Sequence, residues 1–303
     1  MKYIKFSGSN KRISNIGIGT WRMGVNPKNE INAINYALDN GINFIDTAQM
    51  YGTEWLVGQA IVKRDRESLF IATKVSPHNF SYADVINSCM QSLKALKTDY
   101  IDLYQLHFPS SVKPIKETMR AMEYLKNEGY INHIGVSNFN KIELQYALQN
   151  MNNSPIISNQ VEYNVFVRDI EGELMKYCMD NKISIIAYRP LVQGMINSKK
   201  YSRERKIFTN IGLKNNATPI QIMLAWLIAK KALAIPKASS IAHVKENLGA
   251  SDIKLNRNDM AMIDTITKRR KSMMFYAGYM IRHTTTWSKL MTNKNKKIER
   301  KQF

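Results

Sequence analysis

The sequence contains few cysteines, with Cys89 and Cys178 the only two in 303 residues. Two cysteines cannot build the disulfide framework of a small secreted protein, and neither belongs to a C-x-x-C pair. Both are therefore expected to be reduced thiols. Proline and glycine are also scarce, at 8 and 14 residues, which excludes collagen-like and low-complexity chains.

The sequence also lacks a long apolar run. The longest, at residues 223–229 and 273–281, fall far short of the roughly 20 residues that a membrane-spanning helix requires. The first six residues do not form the apolar stretch of a signal peptide. We therefore expect a soluble protein of the cytoplasm.

Acidic residues are under-represented. Lys and Arg number 44 against 24 Asp and Glu, and residues 268–303 hold eleven of the basic residues and one acid. Such a tail either binds an anionic partner or is a solvated terminus. No stacking-aromatic or groove-reading motif accompanies the charge, so no specific nucleic-acid binding is expected.

Short apolar runs alternate with helical patterns along most of the chain. The runs are nearly continuous rather than alternating, which is typical of parallel strands covered on both faces. The predicted strands are 16–20, 43–47, 69–75, 101–107, 132–137, 156–161, 183–188 and 233–237. A length of about 300 residues suits either two average domains or one α/β barrel.

Helix signals separate these runs. Ser81 precedes one helical segment as a capping residue, Pro114 and Gly129 enclose another, and Thr218 stands before Pro219 at the start of a third. Eight strand–helix alternations predict a single (β/α)8 TIM barrel over residues 1–270, with an open doubly wound sheet as the alternative. A short N-terminal hairpin is predicted over 3–14, a last helix over 256–270, and a basic C-terminal extension over 271–303.

Polar residues stand where the predicted strands end. In a barrel of parallel strands these ends meet at one face, where the active site lies. Tyr51 follows shortly after one of these ends, in the next loop. The strand-end residues are Asp46, Lys74, His107, Ser137, Asn138, Gln160, Tyr188 and Lys237.

Four of these residues predict acid–base chemistry. Lys74 closes an apolar strand and needs a carboxylate partner, for which Asp46 is the candidate. The Lys74 ammonium is expected to lower the pKa of Tyr51 from its usual value of about 10, and His107 to bind the same substrate oxygen. Such a set protonates a carbonyl oxygen while a cofactor hydride attacks the carbon. Schiff-base formation by Lys74 is the alternative chemistry.

Several motifs, in order, resemble the aldo-keto reductase superfamily over residues 15–267. They are Gly17-Ile-Gly-Thr-Trp21, residues 41–58 around Asp46 and Tyr51, Ile134-Gly-Val-Ser-Asn-Phe139, and Ile235-Pro-Lys237 with Glu246-Asn247. The resemblance implies a (β/α)8 barrel that reduces small aldehydes or ketones with NADPH, as a monomer and without a metal. A cofactor-binding redox sensor or regulatory subunit with little turnover is the alternative function.

The resemblance also assigns the site residues. Asp46, Tyr51, Lys74 and His107 form the catalytic tetrad, with Tyr51 as general acid. Ser137, Asn138 and Gln160 bind the nicotinamide carboxamide, and Tyr188 stacks on its ring. The remaining cofactor contacts are expected at Gly19, Thr20, Trp21, Arg189, Pro190, Leu191, Gln193, Gly194, Lys237, Ser239, Ser240, His243, Glu246 and Asn247.

Two positions depart from the family pattern. His243 stands where the family usually has an arginine for the 2′-phosphate, and neutral imidazole binds phosphate less strongly than guanidinium. Lys237 and the serines after it still favour NADPH, while NADH remains possible. Arg189 replaces a residue that is often small. The aromatic residues of the extension are expected either to cover the substrate pocket as an apolar wall or to belong to a membrane-facing or disordered stretch; they are Phe275, Tyr276, Tyr279 and Trp287.

Overall fold

Ten strands and ten helices make up the fold of the computed structural model, which describes residues 1–110 and 114–268. The strands are β1 (Tyr3–Lys5), β2 (Arg12–Ser14), β3 (Ile18–Gly19), β4 (Phe44–Asp46), β5 (Phe70–Val75), β6 (Ile101–Leu106), β7 (Ile131–Ser137), β8 (Ile156–Glu162), β9 (Ser184–Tyr188) and β10 (Leu233–Ala234). The helices are α1 (Pro27–Asp39), α2 (Glu54–Ile61), α3 (Tyr82–Leu96), α4 (Ile115–Asn127), α5 (Lys141–Gln149), α6 (Glu173–Asp180), α7 (Ser202–Asn215), α8 (Pro219–Ala229), α9 (Ile241–Leu248) and α10 (Arg257–Asp264).

Strands β3 to β10 pair in chain order as one parallel sheet of eight strands. Parallel bridges from Ile16 to Ala234 and from Gly19 to Lys237 join its first and last strands. The sheet therefore closes into the predicted (β/α)8 barrel, and the open doubly wound alternative is wrong. The described residues include no helix long and apolar enough to cross a membrane.

The first and last barrel strands are shorter than predicted. β3 covers Ile18–Gly19 and β10 covers Leu233–Ala234. Beyond β10, Pro236 has no N–H to give to a ladder, although its carbonyl still accepts a hydrogen bond from Gly19. The closure of the barrel is consequently a set of isolated bridges rather than two long paired strands.

Helix boundaries follow the predicted capping residues. The Ser81 side chain accepts a hydrogen bond from the Asp84 N–H at the start of α3. Thr218 and Gln221 form a reciprocal capping box at the start of α8. The predicted last helix is shorter than expected, because the buried Arg168 donates to the carbonyls of Ile263 and Ile266 around the end of α10.

The N-terminal hairpin is confirmed and closes one end of the barrel. β1 and β2 pair antiparallel, and Phe6 between them packs against Phe44 and Phe70 in the barrel interior. This apolar layer fills the end of the barrel opposite the active-site face. The predicted boundary at residue 270 and the extension, with Phe275, Tyr276, Tyr279 and Trp287, lie outside the described residues.

Candidate active site

A cleft of about 550 Å³ opens at the face where the parallel strands end. Predicted residues that line it are Gly19, Trp21, Asp46, Tyr51, His107, Ser137, Asn138, Gln160, Tyr188, Arg189, Pro190, Leu191, Gln193, Lys237 and His243. Predicted residues that do not line it are Thr20, Lys74, Gly194, Ser239, Ser240, Glu246 and Asn247. The barrel thus gathers most of the predicted site at one opening.

Lys74 and Asp46 form a buried ion pair beneath this cleft. The Lys74 ammonium lies 2.8 and 2.7 Å from the two carboxylate oxygens of Asp46, and its side chain has no exposed surface. Burial raises the pKa of Asp46 and lowers the pKa of Lys74, while the opposite charge of the partner opposes each shift. The predicted partnership between these residues is confirmed.

Tyr51 is brought onto this pair by a short 3-10 helix, Gln49–Tyr51, that follows β4. The Gln49 side chain fixes the turn because its oxygen accepts hydrogen bonds from the Ser76 N–H and the Asn79 amide. The Lys74 ammonium donates to the Thr47 carbonyl at 2.8 Å and lies 3.4 Å from the Tyr51 hydroxyl. The same ammonium therefore contacts the carboxylate and the phenol.

The predicted lowering of the Tyr51 pKa is wrong for this structure. Burial and the negative charge of Asp46 raise the pKa of Tyr51 well above its usual value, and the charge of Arg189 offsets part of this rise. Lys74 does not act on Tyr51 as an uncompensated cation, because its ammonium is paired with both carboxylate oxygens of Asp46. Tyr51 is consequently protonated at neutral pH and has a proton to donate.

His107 lies beside Tyr51 with its ring edge-on at a centroid distance of 5.4 Å. The adjacent Phe108 ring stacks on the imidazole at 4.9 Å. Burial, together with the nearby charge of Lys74, lowers the pKa of His107 well below its usual value. The imidazole is therefore neutral at physiological pH and can donate one N–H to a substrate oxygen.

The residues expected to bind the nicotinamide carboxamide form a connected polar network. The Gln160 amide donates to Asp46 at 2.7 Å, and the Ser137 hydroxyl donates to the Gln160 carbonyl. The Asn138 amide donates to the His107 carbonyl and accepts from the Tyr188 hydroxyl. These contacts fix the side chains before any ligand binds.

Basic side chains also line the cleft. Lys237 and His243 are both part of its lining, and Ser240 caps α9 by accepting from the His243 N–H. Arg189 lies 3.5 Å from Glu162 and 5.4 Å from the centre of the Trp21 ring. The cations Lys237 and Arg189, with the ring of Tyr188, suit an anionic ligand that carries a flat heterocycle, as a dinucleotide does.

Besides Lys74 and Ser240, two predicted residues outside the cleft lining form side-chain hydrogen bonds with described residues. The Thr20 hydroxyl donates to the Asp46 carbonyl, and a Glu246 oxygen accepts from the Thr218 hydroxyl. Asn247 is buried in α9.

The sequence prediction also missed six lining residues, namely Arg22, Met50, Phe108, Glu162, Ile235 and Pro236. Each of the six lies one or two positions from a predicted residue. Closeness in the sequence to those residues could therefore have identified them.

Comparison with known proteins gives a consistent result. Residues 15–268 match the model of the aldo/keto reductase family. The methylglyoxal reductase YeaE of Escherichia coli (strain K12) is 36% identical over 271 residues, which is 87% of this chain and 94% of that protein. The glyoxal reductase of Bacillus subtilis (strain 168) is 34% identical over 254 residues, 83% of this chain and 88% of that protein.

A solved structure of similar fold carries the expected cofactor. The crystal structure of an aldo-keto reductase from Klebsiella pneumoniae in complex with NADPH superposes with a TM-score of 0.81 at 35% identity. The match covers 89% of this chain and 97% of the other.

Proposed function

The chain belongs to the aldo/keto reductase family, and from that premise we propose that Tyr51 donates the proton when it reduces small carbonyl compounds. It is an NADP-dependent oxidoreductase that acts on aldehydes or ketones, with NADPH as its cofactor. The observation that supports the role of Tyr51 is its hydroxyl beside the Lys74 ammonium, at 3.4 Å.

The proposed reaction needs one proton donor and one orienting group. When bound, NADPH supplies the hydride that reduces the carbonyl carbon. Tyr51 gives its proton to the carbonyl oxygen as negative charge develops there, and Lys74 stabilises the resulting phenolate. Neutral His107 donates a hydrogen bond to the same oxygen and directs it toward Tyr51.

Other side chains at the cleft are proposed to bind the cofactor. Ser137, Asn138 and Gln160 are proposed to hold the carboxamide, and Tyr188 the ring. Lys237 and His243 are proposed to bind the 2′-phosphate, and Arg189 the pyrophosphate, because these basic side chains line the same cleft as the proposed acid.

Small 2-oxoaldehydes are the proposed substrates. Similar proteins are named for the reduction of methylglyoxal and of glyoxal. In this chain Trp21, Met50 and Phe108 supply large apolar side chains to the cleft that contains Tyr51 and His107. Such walls exclude water and leave the two polar groups to orient a carbonyl.

The test is consumption of NADPH by the purified protein with methylglyoxal, glyoxal and a panel of unrelated aldehydes and ketones. We expect faster turnover with the 2-oxoaldehydes and an alcohol as the product. Tight NADPH binding with negligible turnover on every carbonyl contradicts the proposal and favours the sensor alternative.

A further inference from the structure

A second polar layer lies in the barrel interior directly below the proposed acid and imidazole. Side chains alternate along a strand, so Leu103, Gln105 and His107, on and just after β6, point to the same face. Leu103 belongs to the apolar cluster that fills the barrel with Phe44 and Phe70. Gln105 is therefore interposed between that apolar layer and His107, and it is fully buried.

Ser158 faces Gln105 across the barrel interior. In the sheet, Gln105 pairs with Gly135, and Gly135 pairs with Ser158. A Cβ at position 135 would collide with the Ser158 hydroxyl and with Cγ of Gln105. The glycine is required there because it lets the two polar side chains approach each other above its backbone.

The polar atoms of this layer are buried and lack well-formed hydrogen bonds with the described residues. They are the two amide atoms of Gln105, the Ser158 hydroxyl and Nδ1 of His107. The Gln105 amide lies close enough to Asp46 to lower the pKa of that carboxyl. Buried polar atoms are almost always hydrogen-bonded, to protein or to an ordered water.

We propose that Gln105 and Ser158 position His107 through one buried water molecule that donates a hydrogen bond to Nδ1 of the imidazole. A buried site with several polar atoms around it is the kind that retains an ordered water. With Nδ1 as acceptor, the neutral ring carries its proton on Nε2. Gln105 and Ser158 are positioning residues for the function proposed above, on which this inference rests.

The consequence concerns which nitrogen of His107 carries the proton. His107 lines the cleft, and only a protonated ring nitrogen there can donate to a substrate oxygen. Without the layer below, the two neutral tautomers of the ring compete. Gln105 and Ser158 thereby keep the donor form without touching substrate.

The test is the tautomer of His107 read from its two ring nitrogens by ¹⁵N NMR of the histidine-labelled chain without nucleotide. The chain has five histidines, and His107→Gln identifies the signals of interest. We expect wild type to show protonated Nε2 and unprotonated Nδ1. Gln105→Leu is expected to show a mixture of tautomers. Tyr104→Phe is the matched control, because it removes a buried hydroxyl from the adjacent position of β6 on the opposite face.

Ser158→Ala gives the same readout should Gln105→Leu fail to fold, and a smaller shift toward the other tautomer is expected. Both variants should lower kcat, about tenfold for Gln105→Leu, with KM changed little, since outer partners that orient a metal-bound imidazole have effects of this order. A wild-type ring protonated on Nδ1, or tautomers unchanged in both variants, overturns the inference. Because the spectrum is read without substrate, it decides this point even if the protein reduces no carbonyl.

Discussion

Lys74 and Asp46 carry opposite charges in a part of the barrel from which water is excluded. Each charge is tolerated there because the other is within 2.8 Å, and Gln160 adds a hydrogen bond to the carboxylate. Removing one partner of such a pair leaves the other charge buried and uncompensated. The same two residues that form the active site therefore also determine part of the stability of the barrel.

Lys74→Met is expected to reduce the free energy of unfolding by about 3 kcal/mol, because Asp46 then remains buried without its cation. Denaturation with urea measures this change. The double variant Lys74→Met/Asp46→Asn is the control and should recover much of the loss. A single variant as stable as wild type would show that the pair contributes little.

His243→Arg is expected to strengthen the binding of NADPH relative to that of NADH. A guanidinium group stays charged and can form two parallel hydrogen bonds with a phosphate. Dissociation constants for both nucleotides, measured by fluorescence titration, test this. His78→Arg, a change in the 3-10 helix after β5, is the control for added charge. If the affinities for NADPH and NADH change equally, position 243 does not contact the 2′-phosphate.

The sequence predicted which residues meet at the site, but not all of their electrostatics. The pairing of Lys74 with Asp46 was predictable, because a lysine that ends an apolar strand requires a carboxylate. The pKa of Tyr51 was predicted with the wrong sign. The direction of the shift in the Tyr51 pKa depends on burial and on the nearby negative charge of Asp46, and both arise only once the chain is folded.

At the scale of elements, Glu123 connects α4 to the loop that follows α5. Its carboxylate accepts hydrogen bonds from the N–H groups of Asn152, Asn153 and Ser154 and from the Asn152 amide. Burial acts to raise the pKa of Glu123, but these donors together hold it below its usual value. The ionised carboxylate of Glu123 therefore stabilises the folded protein at pH values above the pKa that Glu123 has in the unfolded chain.

Glu123→Gln is expected to lower stability at neutral pH by about 1.5 kcal/mol, the value of hydrogen bonds to a charged group. The difference from wild type should shrink as the pH falls through the folded-state pKa of Glu123, where the carboxylate becomes protonated. Thermal or urea unfolding between pH 7 and acid pH measures it. Glu117→Gln, an exposed pair partner on α4, is the control and should show little effect. A Glu123→Gln deficit that is constant with pH would contradict this account.

The order of the elements was predictable, whereas their ends were less so. Eight apolar runs were enough to give eight strands in order. The shortness of β3 and β10 was not predictable, because it depends on how the barrel closes around Pro236. The end of α10 was also missed, since it depends on Arg168, which lies about a hundred positions earlier in the chain.

At the scale of the whole molecule, the dominant property is a net charge of +20. An anionic dinucleotide is attracted to such a chain, and salt screens the attraction. The association rate of NADPH should therefore fall as salt rises, roughly tenfold from low to high ionic strength. Stopped-flow fluorescence measures it, with NADH, which lacks the 2′-phosphate, as the less sensitive control. Salt-independent rates would mean that the net charge does not steer the cofactor.

The most direct test of the account compares wild type with Tyr51→Phe in a single turnover of methylglyoxal reduction by bound NADPH. The variant keeps the aromatic ring and loses only the proposed proton donor. We predict a fall in rate of at least about 10²-fold, the usual contribution of a general acid, with NADPH binding unchanged. An unchanged reduction rate would contradict the central claim that Tyr51 donates the proton.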